Sequence, residues 1–180
     1  VDYKLVAQTI FNDLISKNTD ILLKTSVLSQ KINNDGIYLE TTNQLVQTKN
    51  IINCGGLQAD RLANKMGLKT NLKIIPFRGE FFSLKPDKSN LINGLIYPVP
   101  NPELPFLGVH FTKRIDGSVE VGPNAVFAFA REGYRKSQIN IRDLSEILLF
   151  PGFWRMSSNY WSTGIQEQWR SLIKSVFVKS

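Results

Sequence analysis

The feature that most limits how this chain can fold is its middle part, residues 74–125, where strand-like segments alternate with prolines and tight turns. Residues 74–84, 95–99 and 106–114 are rich in aromatic and β-branched side chains, which favour strands. The dipeptide Asp116-Gly117 follows the third segment and favours a two-residue hairpin turn. Strands joined by such short connections predict a mostly antiparallel sheet.

Polar and charged side chains lie inside these strand-like segments, where burial is expected. Arg78, for example, stands between Phe77 and the Phe81-Phe82 pair. An arginine in such a place needs a partner, because an unpaired buried charge is strongly unfavourable. Two interpretations are open. Arg78 pairs with Glu80 on the same face of the strand, or it holds the anionic group of a ligand.

The first 70 residues predict shorter elements. Apolar residues at intervals of three to five favour an amphipathic helix over residues 2–16. The run from Asn33 to Gly36 tolerates positive φ and predicts a turn. Gly67 occupies the position of a left-handed helix cap. The other elements predicted in this part are strands at residues 21–27, 36–41 and 44–53 and a helix at residues 57–66.

Helices are expected again after the sheet. Asn140 can cap a helix over residues 141–150, and an aromatic helical segment follows at residues 153–177. The predicted fold class is therefore α+β. It consists of an α/β-like N-terminal part at residues 1–70 and a mostly antiparallel sheet flanked by helices at residues 71–180.

The composition excludes several classes of function. The 180 residues carry a net charge of +7, but Lys and Arg are spread along the chain and no nucleic-acid-binding motif is present, so we expect no nucleic-acid partner. One cysteine and one histidine provide neither a disulfide framework nor a set of metal ligands. Cys54 is expected in the core. The lone cysteine and the lack of a visible targeting segment favour a cytoplasmic protein.

A glycine pair lies at the junction between a predicted strand and the next helix. The apolar residues Ile51-Ile52 lead into Gly55-Gly56, and the helix follows directly. Glycines at such a junction either permit tight packing or let the backbone approach a ligand closely, where a helix N-terminus offers N–H groups to phosphate or to a flavin. From these residues alone, packing is the commoner reason.

Several segments taken together resemble one enzyme family. Five segments are similar to segments of FAD-dependent oxidoreductases of the D-amino-acid-oxidase type: NCGGLQADRLA, PFRGEFF, IYPVP, GVHFT and VGPNAVFAFAREGY. Within that family they look most like the branch that oxidises L-2-hydroxyglutarate. The resemblance covers nearly the whole chain. Gly55 is a small departure, because that branch usually has alanine there.

This resemblance implies an FAD cofactor, contacted by Gly55, Gly56 and Gly79, and a small 2-hydroxy dicarboxylate as substrate. Hydride would leave C2 of the substrate for the flavin while a base takes the hydroxyl proton. The family also has a GxGxxG segment that holds the FAD pyrophosphate, and this sequence contains none. We therefore expect the middle of a longer protein, which alone is inactive and binds FAD weakly or not at all.

The resemblance also implies roles for four polar residues. His110 would be the catalytic base, with a hydrogen-bonded core histidine as the alternative. Arg78 would bind a substrate carboxylate, because its fork matches that ion with two hydrogen bonds. Tyr97 and Asn124 would complete the substrate site, although the residues alone favour simple packing as the role of Tyr97.

The hairpin register decides whether two of these residues share a face of the sheet. With a two-residue turn, Lys113 faces Glu120, and Asn124 lies on the face opposite His110. Both can then line one site only if Pro123 marks a bulge or the end of the strand.

Two other functions are compatible with the sequence. An amine or amino-acid oxidase of the same fold, similar to glycine or sarcosine oxidase, would use a similar sheet with other pocket residues. A basic binding module without catalysis would bind no flavin. A contact of the full-length protein with a membrane surface or an electron acceptor stays open, as does its oligomeric state.

Overall fold

The computed structural model describes residues 1–100 and 108–173 of the chain. Two compact units are present, Asp2–Ile74 and Ile75–Ser180, whereas the sequence placed the division near residue 70. Each unit contains helices and an antiparallel sheet, which confirms the predicted α+β class.

The first unit contains a three-stranded sheet and two helices. Its strand order is β1-β2-β3, and both pairings are antiparallel rather than the parallel pairing of an α/β unit. The strand predicted at residues 44–53 is paired only at residues 45–48, and its remainder, which leads to the glycine pair, has no strand partner among the described residues. The elements are α1 (Tyr3–Ser16), β1 (Val27–Asn33), β2 (Gly36–Thr41), β3 (Leu45–Thr48) and α2 (Ala59–Lys65).

Local signals set the ends of these elements. Asp2 caps α1, because its carboxylate accepts hydrogen bonds from the backbone N–H groups of Lys4 and Leu5 at 3.0 and 3.2 Å. Gly67 follows α2 in the left-handed conformation, with φ +80°, as predicted. The strand predicted at residues 21–27 is wrong. The turn before β2 fixes the register, so the residues directly preceding that turn form β1 instead.

The second unit is a four-stranded sheet followed by two helices. The strand order is β4-β7-β6-β5, and every neighbouring pair is antiparallel. Its core includes Val119, Val126 and Ile147, each no more than 1% exposed. The elements are β4 (Phe77–Ser83), β5 (Leu95–Ile96), β6 (His110–Lys113), β7 (Val119–Phe127), α3 (Ile141–Leu148) and α4 (Pro151–Leu172).

The hairpin between β6 and β7 differs from the prediction by one residue. Its loop has three residues, 115–117, rather than two. The extra residue shifts the register, so that Lys113 pairs with Val119. Glu120 forms its ion pair with Arg114, at 2.5 Å, and the predicted Lys113–Glu120 pairing is wrong.

β7 is irregular beside Pro123, at the place where the sequence allowed a bulge. The pairing with β4 shifts by one residue after the Glu80–Asn124 pair. Gly122 adopts φ +147°, and a Cβ atom there would lie 2.6 Å from the carbonyl oxygen of Glu80, so only glycine fits. This irregularity sets the position of Asn124.

The two helices that follow the sheet begin at recognisable residues. The side chain of Asn140 caps α3 as predicted, accepting a hydrogen bond from the backbone N–H of Asp143 at 3.1 Å. Pro151 begins α4, at a position where the missing N–H of proline has no helical partner to lose. The backbone of α4 departs from helical geometry at Tyr160, with φ −123°.

Candidate functional site

Two of the predicted site residues, His110 and Tyr97, are in direct contact. His110 is the first residue of β6, and Tyr97 directly follows β5, its neighbour in the sheet. Their rings stack with centroids 4.3 Å apart and planes inclined by 20°. The Nδ1 atom of His110 lies 3.3 Å from the carbonyl oxygen of Gly108. Because Tyr97 is 53% exposed and His110 is half-buried, this pair is accessible to a small molecule.

Arg78 lies in a polar cluster on β4, where it pairs with Glu80. The Nη2 and Nε atoms of Arg78 donate to one carboxylate oxygen of Glu80 at 2.8 and 3.2 Å, and the two side chains are 11% and 12% exposed. The Nη1 atom donates to the carbonyl oxygens of Gly133 and Arg135, both at 3.3 Å. Of the two interpretations that the sequence left open for Arg78, the ion pair with Glu80 is formed.

Lys136 is a third member of this cluster, and sequence reasoning missed it. Its Nζ atom lies 3.6 Å from the second carboxylate oxygen of Glu80 and donates to the carbonyl oxygen of Ser171, near the end of α4. The cluster of Arg78, Glu80 and Lys136 therefore carries two positive charges and one negative charge. It connects β4 with the segment after β7 and with α4.

The electrostatics of this cluster favour an ionised Glu80. Burial acts to raise the pKa of this carboxyl group. Hydrogen bonds from Arg78 and Ser171, together with the positive charges of Lys136 and Arg78, outweigh burial and hold its pKa below the usual range. Glu80 therefore remains a fixed anion at neutral pH, which suits an organising role better than proton transfer.

Asn124 is buried next to this cluster without a hydrogen-bond partner. It is the cross-strand partner of Glu80, so the two side chains lie on the same face as neighbours. Asn124 is 1% exposed, and neither its amide nitrogen nor its amide oxygen forms a hydrogen bond within the described residues. Such buried polar groups are rare and call for an explanation, because an unpartnered amide destabilises the folded state.

The predicted site residues of the second unit thus form two groups. His110 contacts Tyr97, and Asn124 neighbours the Arg78–Glu80 pair. Within residues 1–100 and 108–173, no hydrogen bond or ion pair joins His110 to Arg78 or to Asn124.

The glycines predicted to contact a cofactor have different surroundings. Gly56 is exposed, has φ +51°, and has open space where a Cβ atom would stand, so a ligand can approach its backbone closely. A Cβ atom on Gly55 would meet the side-chain oxygen of Asn53 at 3.1 Å. A Cβ atom on Gly79 would lie 3.0 Å from the Cβ atom of Pro123, so packing within the sheet accounts for this glycine. The backbone at Gly56 therefore leaves room for a cofactor, whereas packing contacts account for Gly55 and Gly79.

An apolar groove, which the sequence did not predict, lies between α4 and the sheet. It has a volume of about 540 Å³. The three tryptophans of α4 are 57%, 66% and 55% exposed. The groove is lined by Phe77, Ala125, Phe127, Phe153, Met156, Ser157, Tyr160, Trp161, Thr163, Gly164, Ile165, Gln168, Trp169 and Leu172.

Two further features are absent from the described parts of the chain. No helix there has the length and apolar character needed to cross a bilayer. The same residues contain no group of three or more His, Cys, Asp or Glu side chains arranged to hold a metal ion. Cys54 is exposed rather than buried, because the strand expected to carry it into the core ends at Thr48.

Comparison with known proteins identifies the family that this chain resembles. A family model described as FAD dependent oxidoreductase matches residues 1–171. An L-2-hydroxyglutarate dehydrogenase of Indibacter alkaliphilus is 45% identical over 179 residues, which cover 98% of this chain and 45% of that protein. The L-2-hydroxyglutarate dehydrogenase of Escherichia coli K12 is 41% identical over 99% of this chain and 43% of its own length.

A eukaryotic relative gives a similar result over a shorter region. The mitochondrial L-2-hydroxyglutarate dehydrogenase of Nematostella vectensis is 52% identical over 136 residues, which are 76% of this chain and 30% of that protein. The chain thus spans less than half the length of the curated relatives described here.

Proposed function

The chain belongs to the FAD dependent oxidoreductase family, and we propose that the full-length protein oxidises a 2-hydroxy dicarboxylate, L-2-hydroxyglutarate, to 2-oxoglutarate. One observation chiefly supports this substrate. Relatives that match the chain over nearly its whole length carry the name L-2-hydroxyglutarate dehydrogenase. The half-buried imidazole of His110, stacked on the exposed Tyr97, is compatible with the reaction, because it supplies an accessible group that can take a proton.

In this proposal the two compact units belong to different domains of the full-length protein. Residues 2–74 form part of the FAD-binding domain, and the residues from 75 onward form part of the substrate-binding domain. The exposed backbone of Gly56, together with the neighbouring Gly55, would contact FAD, whereas Gly79 is a packing residue of the sheet in the second unit. FAD, when bound, supplies the acceptor for the hydride that leaves C2 of the substrate. We expect these 180 residues alone to bind FAD weakly, because their sequence contains no GxGxxG segment.

His110 serves as the base in the proposed reaction. Oxidation of an alcohol to a ketone removes the hydroxyl proton as well as the hydride. A neutral imidazole within hydrogen-bond reach can take that proton while charge develops on the oxygen. Tyr97, stacked on His110, would border the substrate and limit where its C2 can lie.

The Arg78 cluster would provide charge for a substrate carboxylate. A guanidinium has five N–H groups, and four of those on Arg78 already donate to Glu80, Gly133 and Arg135. One N–H has no partner among the described residues, and neither does the amide of Asn124. Together with the excess positive charge of the cluster, these groups favour an anion nearby. We therefore propose Arg78 and Asn124 as substrate-binding residues that act through this preformed cluster.

Flavin reduction in the full-length protein tests this function. Anaerobic addition of L-2-hydroxyglutarate should bleach the flavin absorbance, whereas glycine and sarcosine should leave it unchanged. Bleaching by glycine or sarcosine alone would instead identify an amine oxidase of the same fold. A full-length protein that carries no flavin would contradict both.

A further inference from the structure

His110 is held on two sides by residues that neighbour each other in space. The ring of Tyr97 stacks on the imidazole with centroids 4.3 Å apart. The carbonyl oxygen of Gly108 lies 3.3 Å from Nδ1 of His110. One contact sets the plane of the ring, and the other sets its rotation within that plane.

The contact with Gly108 also decides which ring nitrogen carries the proton. A carbonyl oxygen can only accept a hydrogen bond, so Nδ1 must be the donor. A neutral imidazole has a single N–H, and the other nitrogen then has a lone pair. The geometry thus favours the tautomer in which Nδ1 is protonated and Nε2 is able to accept a proton.

The position of the Gly108 carbonyl is itself fixed by packing. A Cβ atom on Gly108 would lie 2.8 Å from the Cγ atom of Pro98, closer than real side chains approach. The backbone of Gly108 therefore lies directly against Pro98, the residue that follows Tyr97. The dipeptide Tyr97-Pro98 supplies both the stacking ring and the surface that positions the carbonyl.

We propose that Gly108 and Tyr97 are positioning residues that hold neutral His110 in the Nδ1-protonated tautomer, leaving Nε2 as the atom that takes the hydroxyl proton of the substrate. The assignment of the tautomer stands on the contacts alone. Its catalytic meaning rests on the proposed function. Neither residue needs to touch the substrate for this role, because both act through the imidazole.

The tautomer can be measured directly, because His110 is the only histidine in the chain. The 180-residue chain is labelled with ¹⁵N-histidine, and two-bond ¹H–¹⁵N spectra are recorded at pH ~8.5, above the ordinary imidazole pKa of ~6.5. We expect Nδ1 to have the chemical shift of a protonated nitrogen and Nε2 that of an unprotonated one. A protonated Nε2 would overturn the proposal. Two nearly equal nitrogen shifts, which indicate an equal mixture of the two tautomers, would overturn it as well.

Variants separate the contributions of the two positioning residues. Gly108→Ala should displace the carbonyl from Nδ1 and increase the Nε2-protonated form, whereas Gly94→Ala is the matched control because a Cβ atom there meets nothing within 4 Å. Tyr97→Phe should keep the wild-type shifts, and Tyr97→Leu should not. If folded Gly108→Ala keeps the wild-type shifts, Gly108 is not a positioning residue. The same conclusion holds for Tyr97 if Tyr97→Leu keeps them. If Gly108→Ala does not fold, the wild-type spectrum and the spectra of the two Tyr97 variants still test the proposal.

Kinetics in the full-length protein distinguish this inference from the proposed function. Gly108→Ala should lower kcat by on the order of 10- to 100-fold with little change in KM, because the base is misplaced while substrate binding is retained. An unchanged kcat would overturn the positioning role. An Nδ1-protonated wild-type imidazole combined with normal flavin reduction in His110→Ala would refute His110 as the base but leave the assigned tautomer intact.

Discussion

Arg78 donates through both Nη2 and Nε to the same carboxylate oxygen of Glu80, at 2.8 and 3.2 Å, with both side chains largely shielded from water. The two residues are on one strand, and Nη1 of Arg78 extends the contact to the carbonyl oxygens of Gly133 and Arg135. A shielded ion pair of this kind is costly to break from one side, because the remaining charge is left without a partner.

Removing Arg78 should therefore destabilise the second unit. We expect Arg78→Ala to lower the free energy of unfolding by about 3 kcal/mol, measured by denaturant titration. Arg114→Ala is the matched control. It breaks the Arg114–Glu120 pair, in which Arg114 is 54% exposed, and should lower the free energy of unfolding much less, because water screens an exposed ion pair. Equal losses in the two variants would contradict the structural role assigned to Arg78.

Glu80 should make stability depend on acid pH. Its pKa is lower in the folded chain than in the unfolded chain, so its contribution is present above the unfolded value of ~4.3 and is lost as the pH falls through the folded value. Thermal unfolding from pH ~6 to pH ~3 should show a smaller decrease of Tm in Glu80→Gln than in the wild type. Parallel decreases in the two proteins would show that Glu80 is not the responsible group.

Asn124 gives a test of its unpartnered amide. Replacing it with the strand-forming residue valine removes two buried polar atoms that have no hydrogen-bond partner in the described part of the chain. We expect Asn124→Val to raise the free energy of unfolding by about 1 kcal/mol and, in the full-length protein, to raise KM for the substrate. A loss of stability would instead mean that the amide is satisfied, for example by an internal water, and would argue against a free donor for the substrate.

Phe127 and Trp161 line the same groove but differ in their contacts. Phe127 lies 5.3 Å from Phe153 and 6.1 Å from Phe77, measured between ring centroids. We expect Phe127→Ala to lower the free energy of unfolding by about 3 kcal/mol. Trp161 is 66% exposed, so we expect Trp161→Ala to lower the free energy of unfolding by less than about 1 kcal/mol. A large loss in Trp161→Ala would show that α4 is anchored through its exposed face.

Where short-range chemistry decides the structure, the sequence predicted it well. The cap at Asn140, the left-handed Gly67 and the turn before β2 were confirmed, because each depends on the conformational preferences of neighbouring residues. The family expected from the sequence motifs was also confirmed. Family membership depends on which residues the sequence contains and not on which residues the fold brings together.

The hairpin register was predicted wrongly because the dipeptide Asp116-Gly117 does not fix the length of its loop. The Asp116 carboxylate accepts hydrogen bonds from the backbone N–H and the hydroxyl of Ser118, at 3.0 and 2.7 Å, which stabilises a loop that includes one further residue. A shift by one residue changes the cross-strand partner at every position. As a result, Arg114 and not Lys113 forms the ion pair with Glu120.

The candidate site was predicted only in part, since its members are distant in sequence. Arg78 and Glu80 are two residues apart, and their pairing was one of two open interpretations. Lys136 reaches Glu80 only through the course of the chain after β7, for which the sequence gives no local signal. Likewise, the stacking of Tyr97 on His110 requires β5 and β6 to be neighbours, which only the folded sheet establishes.

The central claim is that His110 is the base in the oxidation of a 2-hydroxy acid. The most direct measurement is the rate of flavin reduction by L-2-hydroxyglutarate in the full-length protein and in its His110→Ala variant, under anaerobic stopped-flow conditions and with the fold of the variant verified by circular dichroism. The rate should fall by ~10²–10⁴-fold in His110→Ala, because the substrate hydroxyl loses its proton acceptor. A near-normal rate of flavin reduction in a correctly folded variant would contradict the claim.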